Sequence, residues 1–93
     1  MKQKIVIPKI RIKKGMESEY LAFVQPYTKI SSQETGILTY SIFQSLDAPN
    51  EFMAYEIYAN QEAFDLHCKT DHFKNFLKET EHLYEEEIIP YYF

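Results

Sequence analysis

Residues 37–58 read ILTYSIFQSLDAPNEFMAYEIY, two apolar runs separated by a turn-forming segment. Ile37 to Ser45 and Phe52 to Tyr58 carry the β-branched and aromatic side chains of strands, and Asp47, Pro49 and Asn50 between them are turn formers. The stretch predicts a β-hairpin. Alternation puts Leu38, Tyr40 and Ile42 on one side of its first strand and Ile37 and Phe43 on the other. In the second strand Met53, Tyr55 and Ile57 oppose Phe52, Ala54, Glu56 and Tyr58. Both faces of the hairpin are therefore apolar, and both are expected to be covered.

Outward from the hairpin, the preceding segment has the period of a helix. After Gly15, the residues Met16, Tyr20, Phe23, Val24, Tyr27 and Ile30 recur at three- and four-residue steps, with Glu17 and Glu19 favourably placed in the first turn. This helix should end before Gly36, and Pro26 in its interior predicts a kink or break near Ala22. Residues 4–13 alternate Val6, Ile10 and Ile12 against Lys9, Arg11 and Lys13, a half-buried strand in which Pro8 calls for an edge or a bulge. On the other flank, Asn60 can cap a short helix holding Ala63, Phe64 and His67. Thr70 can cap a second with Phe73, Phe76, Leu77 and Leu83 on one side. A last strand is expected from about Tyr84 to Tyr92.

Strand, helix, strand, strand, helix pair, strand is the order of an α+β, ferredoxin-like fold, a split βαβ antiparallel sheet with helices on one face. The chain has 93 residues, enough for a single domain over 1–93. Helices cover only one sheet face, so the apolar second face predicts a homodimer. The aromatic run Ile88-Ile89-Pro90-Tyr91-Tyr92-Phe93 is a second candidate contact.

Several function classes are closed by composition. With Gly15 and Gly36 as the only glycines, neither a dinucleotide fingerprint nor a phosphate loop can be written, and no nucleophile elbow is present. Cys68 is the only cysteine, so no internal disulfide or multi-cysteine metal site is possible, and a cytoplasmic location is expected. The first residues hold no apolar run of secretory length, and no stretch approaches a membrane span. A net charge of −4 opposes nucleic acid and anionic membrane as partners. Lysines crowd the start and glutamates the end, which neighbouring first and last strands would pair.

Four residues invite chemistry. His67, three positions after Phe64, should face the sheet, where a neutral imidazole is a base near neutral pH; the alternative is a core histidine satisfied by a backbone carbonyl. Glu56, among Phe52, Ala54 and Tyr58, must find a partner or shift its pKa upward. His72 follows the Thr70 cap and suits holding the chain turn, and Tyr40 offers a phenol to a ligand or simply packs. His67, His72 and His82 are scattered with no carboxylate at ligand spacing, so no metal site is expected.

The segments Gly36-Ile37-Leu38-Thr39-Tyr40, Phe52, Tyr55-Glu56-Ile57-Tyr58, Ala63-Phe64-Asp65-Leu66-His67 and Thr70-Asp71-His72-Phe73 occur in the order and spacing of a family pattern. That pattern is Gly-x-Leu-x-Tyr, then a Glu followed two residues later by an aromatic, then Ala-aliphatic-x-x-His-x-x-Thr-x-His-Phe. The chain thus resembles the antibiotic biosynthesis monooxygenase family. The resemblance implies a dimeric α/β barrel with two sheets face to face and a ligand pocket in each subunit between sheet and helices. It also implies a cofactor-independent oxidation of a small quinol or phenol by molecular oxygen. Similar proteins instead isomerise a small hydroxy-ketone signal, and others degrade haem. The haem-degrading branch would want Asn at Pro8, Trp at His67 and His at Leu77, and none is present. Pro26, and Tyr58 in place of a common Trp, depart from the pattern.

On this resemblance His67 and Glu56 are the catalytic candidates, with Tyr40, Tyr55, Phe64, His72, Phe73 and Phe76 binding the substrate. Oxygen reacts slowly with closed-shell molecules, so without a cofactor the substrate must become electron-rich by losing a proton. His67 would take that proton, Glu56 or Tyr40 would orient base or substrate, and Phe64, Phe73 and Phe76 would keep the pocket dry. A non-enzymatic barrel that binds a small ligand is the competing class.

Overall fold

In a computed structural model describing residues 2–93, the elements are β1 (Lys4–Arg11), α1 (Glu17–Ser31), β2 (Ile37–Gln44), β3 (Glu51–Tyr58), α2 (Gln61–Cys68), α3 (Asp71–Thr80), a 3₁₀ turn (Glu81–Leu83) and β4 (Ile89–Tyr92). The strands form one antiparallel sheet in the order β2-β3-β1-β4. This is the expected α+β, ferredoxin-like arrangement, with first and last strands adjacent. Arg11 at the end of β1 pairs with Glu86 at 3.2 Å and Glu51 at 3.5 Å, so the charge asymmetry meets in part across that seam.

The helices bury one face of the sheet. Ile10, Ile12 and Phe52 pack against Tyr20, Val24 and Tyr27 of α1 and Phe76 of α3, while Val6, Ile37 and Tyr58 form a second cluster under Ala63 and Phe64 of α2. Both short helices are capped as their sequences require: Asn60 accepts from the Ala63 N–H at 2.9 Å and Thr70 from the Phe73 N–H at 3.3 Å. Gly36 has a φ of +94°, and a Cβ there would lie 2.9 Å from the Ala63 Cβ, so a bare backbone lets the start of β2 close onto α2.

Four expectations need correction. The helix α1 runs unbroken through Pro26, because Tyr20, Val24, Tyr27 and Ser31 bury its inner face while Pro26 and Ala22 lie on the solvent side, where water can serve the freed carbonyl. Pro8 lies in an interior strand without a bulge, directly opposite Pro90. Ile5 and Phe93 exchange both backbone hydrogen bonds (3.3 and 2.8 Å), so by alternation Pro8 and Pro90 meet at a non-hydrogen-bonded pair; the missing Pro8 N–H faces β3 instead, where pairing lapses at Ile7 and Pro8 and resumes in the same register at Lys9.

The last strand is shorter than expected: Tyr84 makes only an isolated bridge to Ile12, and regular pairing resumes at Ile89. Tyr84 turns its ring toward Tyr20 instead and bonds Thr80 at 2.8 Å. Finally, β2 carries a bulge, since Ile37 pairs with Tyr58 and Thr39 with Ile57. The extra residue, Leu38, is pushed outward, and Ile37 shares the helix-covered face with Tyr40 and Ile42, contrary to strict alternation. The opposite sheet face leaves Leu38, Phe43, Met53, Ile89 and Tyr91 exposed.

Candidate active site

Between the sheet and the helices lies a cavity of about 210 Å³. Its sheet wall includes Val6, Ile10, Tyr40, Ile42 and Glu56, and its helix wall includes Val24, Tyr27, Phe64, His67, Phe73 and Phe76. The lining is mostly apolar, so the few polar groups determine what a bound molecule meets. Of the expected site residues, Tyr40, Glu56, Phe64, His67, Phe73 and Phe76 converge here. Tyr55 does not, because strand alternation turns it to the opposite sheet face from Glu56. His72 lies outside the cavity lining and reaches the site through Glu34 rather than by touching the cavity.

His67 is 1% exposed and both of its ring nitrogens are engaged. Nδ1 lies 2.7 Å from Glu34 Oε2, and Nε2 lies 3.0 Å from the Tyr27 hydroxyl. An ionised carboxylate can only accept, so Nδ1 carries the hydrogen and Nε2 accepts from Tyr27. Tyr40 in turn donates to the Tyr27 oxygen at 3.1 Å. The result is a directional chain in which Tyr40 donates to Tyr27 and Tyr27 to His67, with Glu34 behind the imidazole. On its far side Glu34 Oε2 also takes a hydrogen bond from His72 Nε2 at 2.7 Å. The expectation that no carboxylate gathers the histidines is overturned here, as is the reading of His72 as a turn holder. Thr70 itself holds the turn, donating to the His67 carbonyl at 2.7 Å.

The electrostatics follow from burial. Desolvation lowers the His67 pKa, opposed by the Glu34 hydrogen bond and charge, so the resting imidazole is neutral at neutral pH. Burial pushes the Tyr27 and Tyr40 phenols well above their usual range, keeping them protonated. Glu56, 5% exposed, is pushed up to about 7 by desolvation, against the hydrogen-bonding of Tyr58 and Tyr40. Tyr58 donates to its Oε1 at 2.5 Å.

Sequence reasoning missed three participants. Tyr27 was a core position of α1, with nothing in the local pattern to mark its hydroxyl. Glu34 lies in the α1–β2 turn, and only the closure of Gly36 onto Ala63 hints that this turn sits against α2. Thr28 lines the cavity, and its hydroxyl is buried without a hydrogen-bond partner among the described residues. Cys68 also lines the cavity, and burial raises its thiol pKa, so it is a thiol rather than a thiolate nucleophile.

The family profile described as antibiotic biosynthesis monooxygenase matches residues 5–79. An uncharacterized protein of Synechocystis sp. is 28% identical over 76 residues, 82% of this chain and 52% of that protein, so the chain spans about half the length of this relative. Among solved structures, a proposed antibiotic biosynthesis monooxygenase from Nitrosomonas europaea gives a TM-score of 0.95 at 20% identity, over 98% of this chain and 88% of that one. A protein described in the same way from Bacteroides thetaiotaomicron gives 0.85 at 27% identity, over 94% of this chain and 85% of that one. The first likeness, at its low identity, speaks for the fold alone.

Proposed function

Since the chain belongs to the antibiotic biosynthesis monooxygenase family, we propose that it is a cofactor-independent monooxygenase that oxidises a small quinol- or phenol-type aromatic after base-assisted deprotonation. The observation that carries this reading is the apolar cavity with a hydrogen-bonded chain in its wall: Tyr40 and Tyr27 connect to the neutral imidazole of His67.

The hydrogen bonds run in the direction the reaction needs. A substrate hydroxyl that donates to the Tyr40 oxygen releases its proton as Tyr40 passes one to Tyr27 and Tyr27 passes one to His67 Nε2. Glu34, hydrogen-bonded to Nδ1, then stabilises the imidazolium. His67 is thus the base at one remove, and Tyr40 is the group that meets the substrate. The electron-rich anion left in the cavity gives one electron to dioxygen, and the resulting superoxide and substrate radical combine at a ring carbon. Loss of water from the peroxide turns that C–H carbon into a carbonyl, with one oxygen atom retained and the other leaving as water. Glu56 handles the second proton, since its carboxyl changes state near neutrality. Phe64, Phe73 and Phe76 exclude water from the radical pair.

A second reading draws on the same geometry. Glu56 and the Tyr40–Tyr27–His67 chain are two separate proton-exchanging groups at one cavity, as an isomerase of a small hydroxy-ketone requires in order to take a proton from one carbon and return it at the next. In either case the residues act as one domain, and a second copy of the chain covers the open sheet face.

Oxygen uptake by chelator-treated protein, with a panel of quinols and polyhydroxylated naphthalenes, decides between these readings. We expect enzyme-dependent uptake that falls at least about tenfold in His67→Ala. No uptake above the autoxidation blank would overturn the monooxygenase, leaving proton exchange on hydroxy-ketones to separate an isomerase from a ligand-binding barrel.

A further inference from the structure

Glu34, His67 and His72 each present one ligand atom, and the three atoms lie within 4.8 Å of one another. We propose that they form a binding site for a divalent transition-metal ion of the zinc class, and that an ion there and the proton path through His67 exclude each other.

The donor set comes first. Two imidazole nitrogens and one carboxylate oxygen suit zinc and its neighbours and are a poor match for the all-oxygen shells of magnesium or calcium. Three protein ligands also leave a position open for water or a ligand atom. The donors come from three different segments, the α1–β2 turn, α2 and the start of α3, so the fold rather than local sequence brings them together. Access is graded: the His67 side chain is 1% exposed, Glu34 18% and His72 26%. An ion could enter past His72 and Glu34 and come to rest against a dry wall.

An independent observation concerns the outer shell. Histidines that hold a metal through one nitrogen are oriented by a hydrogen bond at the other, and the Tyr27 hydroxyl already stands 3.0 Å from His67 Nε2. Glu34 Oε2 now sits 2.7 Å from each imidazole nitrogen, a distance bridged by a hydrogen. Ligand atoms about 2.0–2.2 Å from a tetrahedral ion stand roughly 3.3 Å apart, so Glu34 has to withdraw by about half an ångström while the two imidazole nitrogens, which lie within 4.8 Å of each other, close on the ion. Its position in the α1–β2 turn, with one carboxylate oxygen free of hydrogen bonds among the described residues, permits that shift.

The consequence lies in the tautomer. With an ion on Nδ1, the His67 hydrogen moves to Nε2, which then donates to Tyr27 instead of accepting from it. The imidazole no longer accepts a proton from the phenols. Ion binding itself is independent of the proposed reaction; only the effect on turnover rests on that reading.

The test titrates chelator-stripped protein with Zn²⁺ by calorimetry and with Co²⁺ by visible absorption. We expect one ion per chain, Co²⁺ bands displaced by Zn²⁺, and affinity at least tenfold weaker in His72→Ala and in Glu34→Gln. His82→Ala, which removes an exposed histidine elsewhere, should bind as the unaltered protein does. Melting temperatures of the stripped variants show that they fold, and Tyr27→Phe should weaken binding by about tenfold if its hydroxyl orients His67. Absence of a stoichiometric ion, or affinity unchanged in both His72→Ala and Glu34→Gln, would overturn the site. Stoichiometric binding that leaves oxygen uptake undiminished would overturn the exclusion, whereas a protein that binds the ion and shows no turnover with any substrate would count against the proposed reaction alone.

Discussion

The Tyr27 hydroxyl stands 3.0 Å from His67 Nε2, across 40 residues of sequence. With Glu34 on the other nitrogen, that contact leaves neither ring nitrogen of His67 free, although the imidazole lines the cavity. On the proposed mechanism a base in this position works through the phenol, and the phenol has no base without the imidazole.

Tyr27→Phe and His67→Ala should therefore act as one unit. Each is expected to lower the rate of oxygen uptake by about 10²- to 10⁴-fold, the usual worth of general-base help. The double variant should lose little more than the worse single variant, since groups in series fail together. Rates that fall multiplicatively in the double variant would show that Tyr27 and His67 contribute separately and that the chain is not a relay.

Glu56 ties the cavity to stability. Burial raises its pKa from 4.5 to about 7, so between those values the folded chain keeps a proton that the unfolded chain has released. Stability from this group is fully present below about pH 4.5 and is lost as the pH rises through about 7, by on the order of 3 kcal/mol. His67 works in the opposite direction, its lowered pKa costing stability as the pH falls. The comparison with Glu56→Gln isolates the carboxyl, because the amide oxygen can still accept from Tyr58. Denaturant unfolding from pH 5 to 8 should show the unaltered protein losing stability relative to the variant as pH rises; parallel profiles would mean that Glu56 titrates as an ordinary carboxylate.

Gly36 joins the turn that holds Glu34 to the helix that holds His67. A side chain there is strained at φ +94° and meets Ala63 at 2.9 Å. Gly36→Ala should cost about 1–3 kcal/mol, which for a chain of this size lowers the melting temperature by roughly 4–8 °C per kcal/mol. It should also disturb the Glu34–His67 bond, read as a change in the imidazole nitrogen shifts. A variant that melts within a degree of the parent and keeps those shifts would show that this close approach is not needed.

These dependences explain what the sequence could disclose. The hairpin, the capped helices and the strand order are local patterns of period and turn chemistry, and they were legible. So was the inward position of Glu56, which follows from alternation along β3, and that of His67, three residues after Phe64. The bulge at Leu38 was not, because it leaves the apolar content of β2 unchanged and alters only the register. Tyr27 and Glu34 were hidden for a different reason: a phenol on a core stripe and a carboxylate in a turn look ordinary until the fold sets them against an imidazole 33 to 40 residues away. Tyr55, named as substrate-binding on the family resemblance, lies outside the cavity because neighbours along a strand face opposite sides.

The same alternation gives the prediction about assembly. Phe43 and Met53 are cross-strand partners on the open sheet face, 52% and 40% exposed, with Leu38, Ile89 and Tyr91 also exposed. An apolar sheet face left to water is costly, and its natural cover is a second sheet of the same kind packed face to face. Sedimentation equilibrium should give twice the 11.1 kDa of one chain. Replacing both Phe43 and Met53 by Asp should shift the equilibrium to single chains, since paired dimer sheets would bury four like charges. The substitutions lie on the face opposite the cavity, so oxygen uptake per folded chain separates two roles for the second copy. Uptake that survives in single chains means the partner only covers the sheet, and uptake lost together with the dimer means the cavity needs the partner to keep its shape. A single-chain mass for the unaltered protein would leave the open face without its proposed cover.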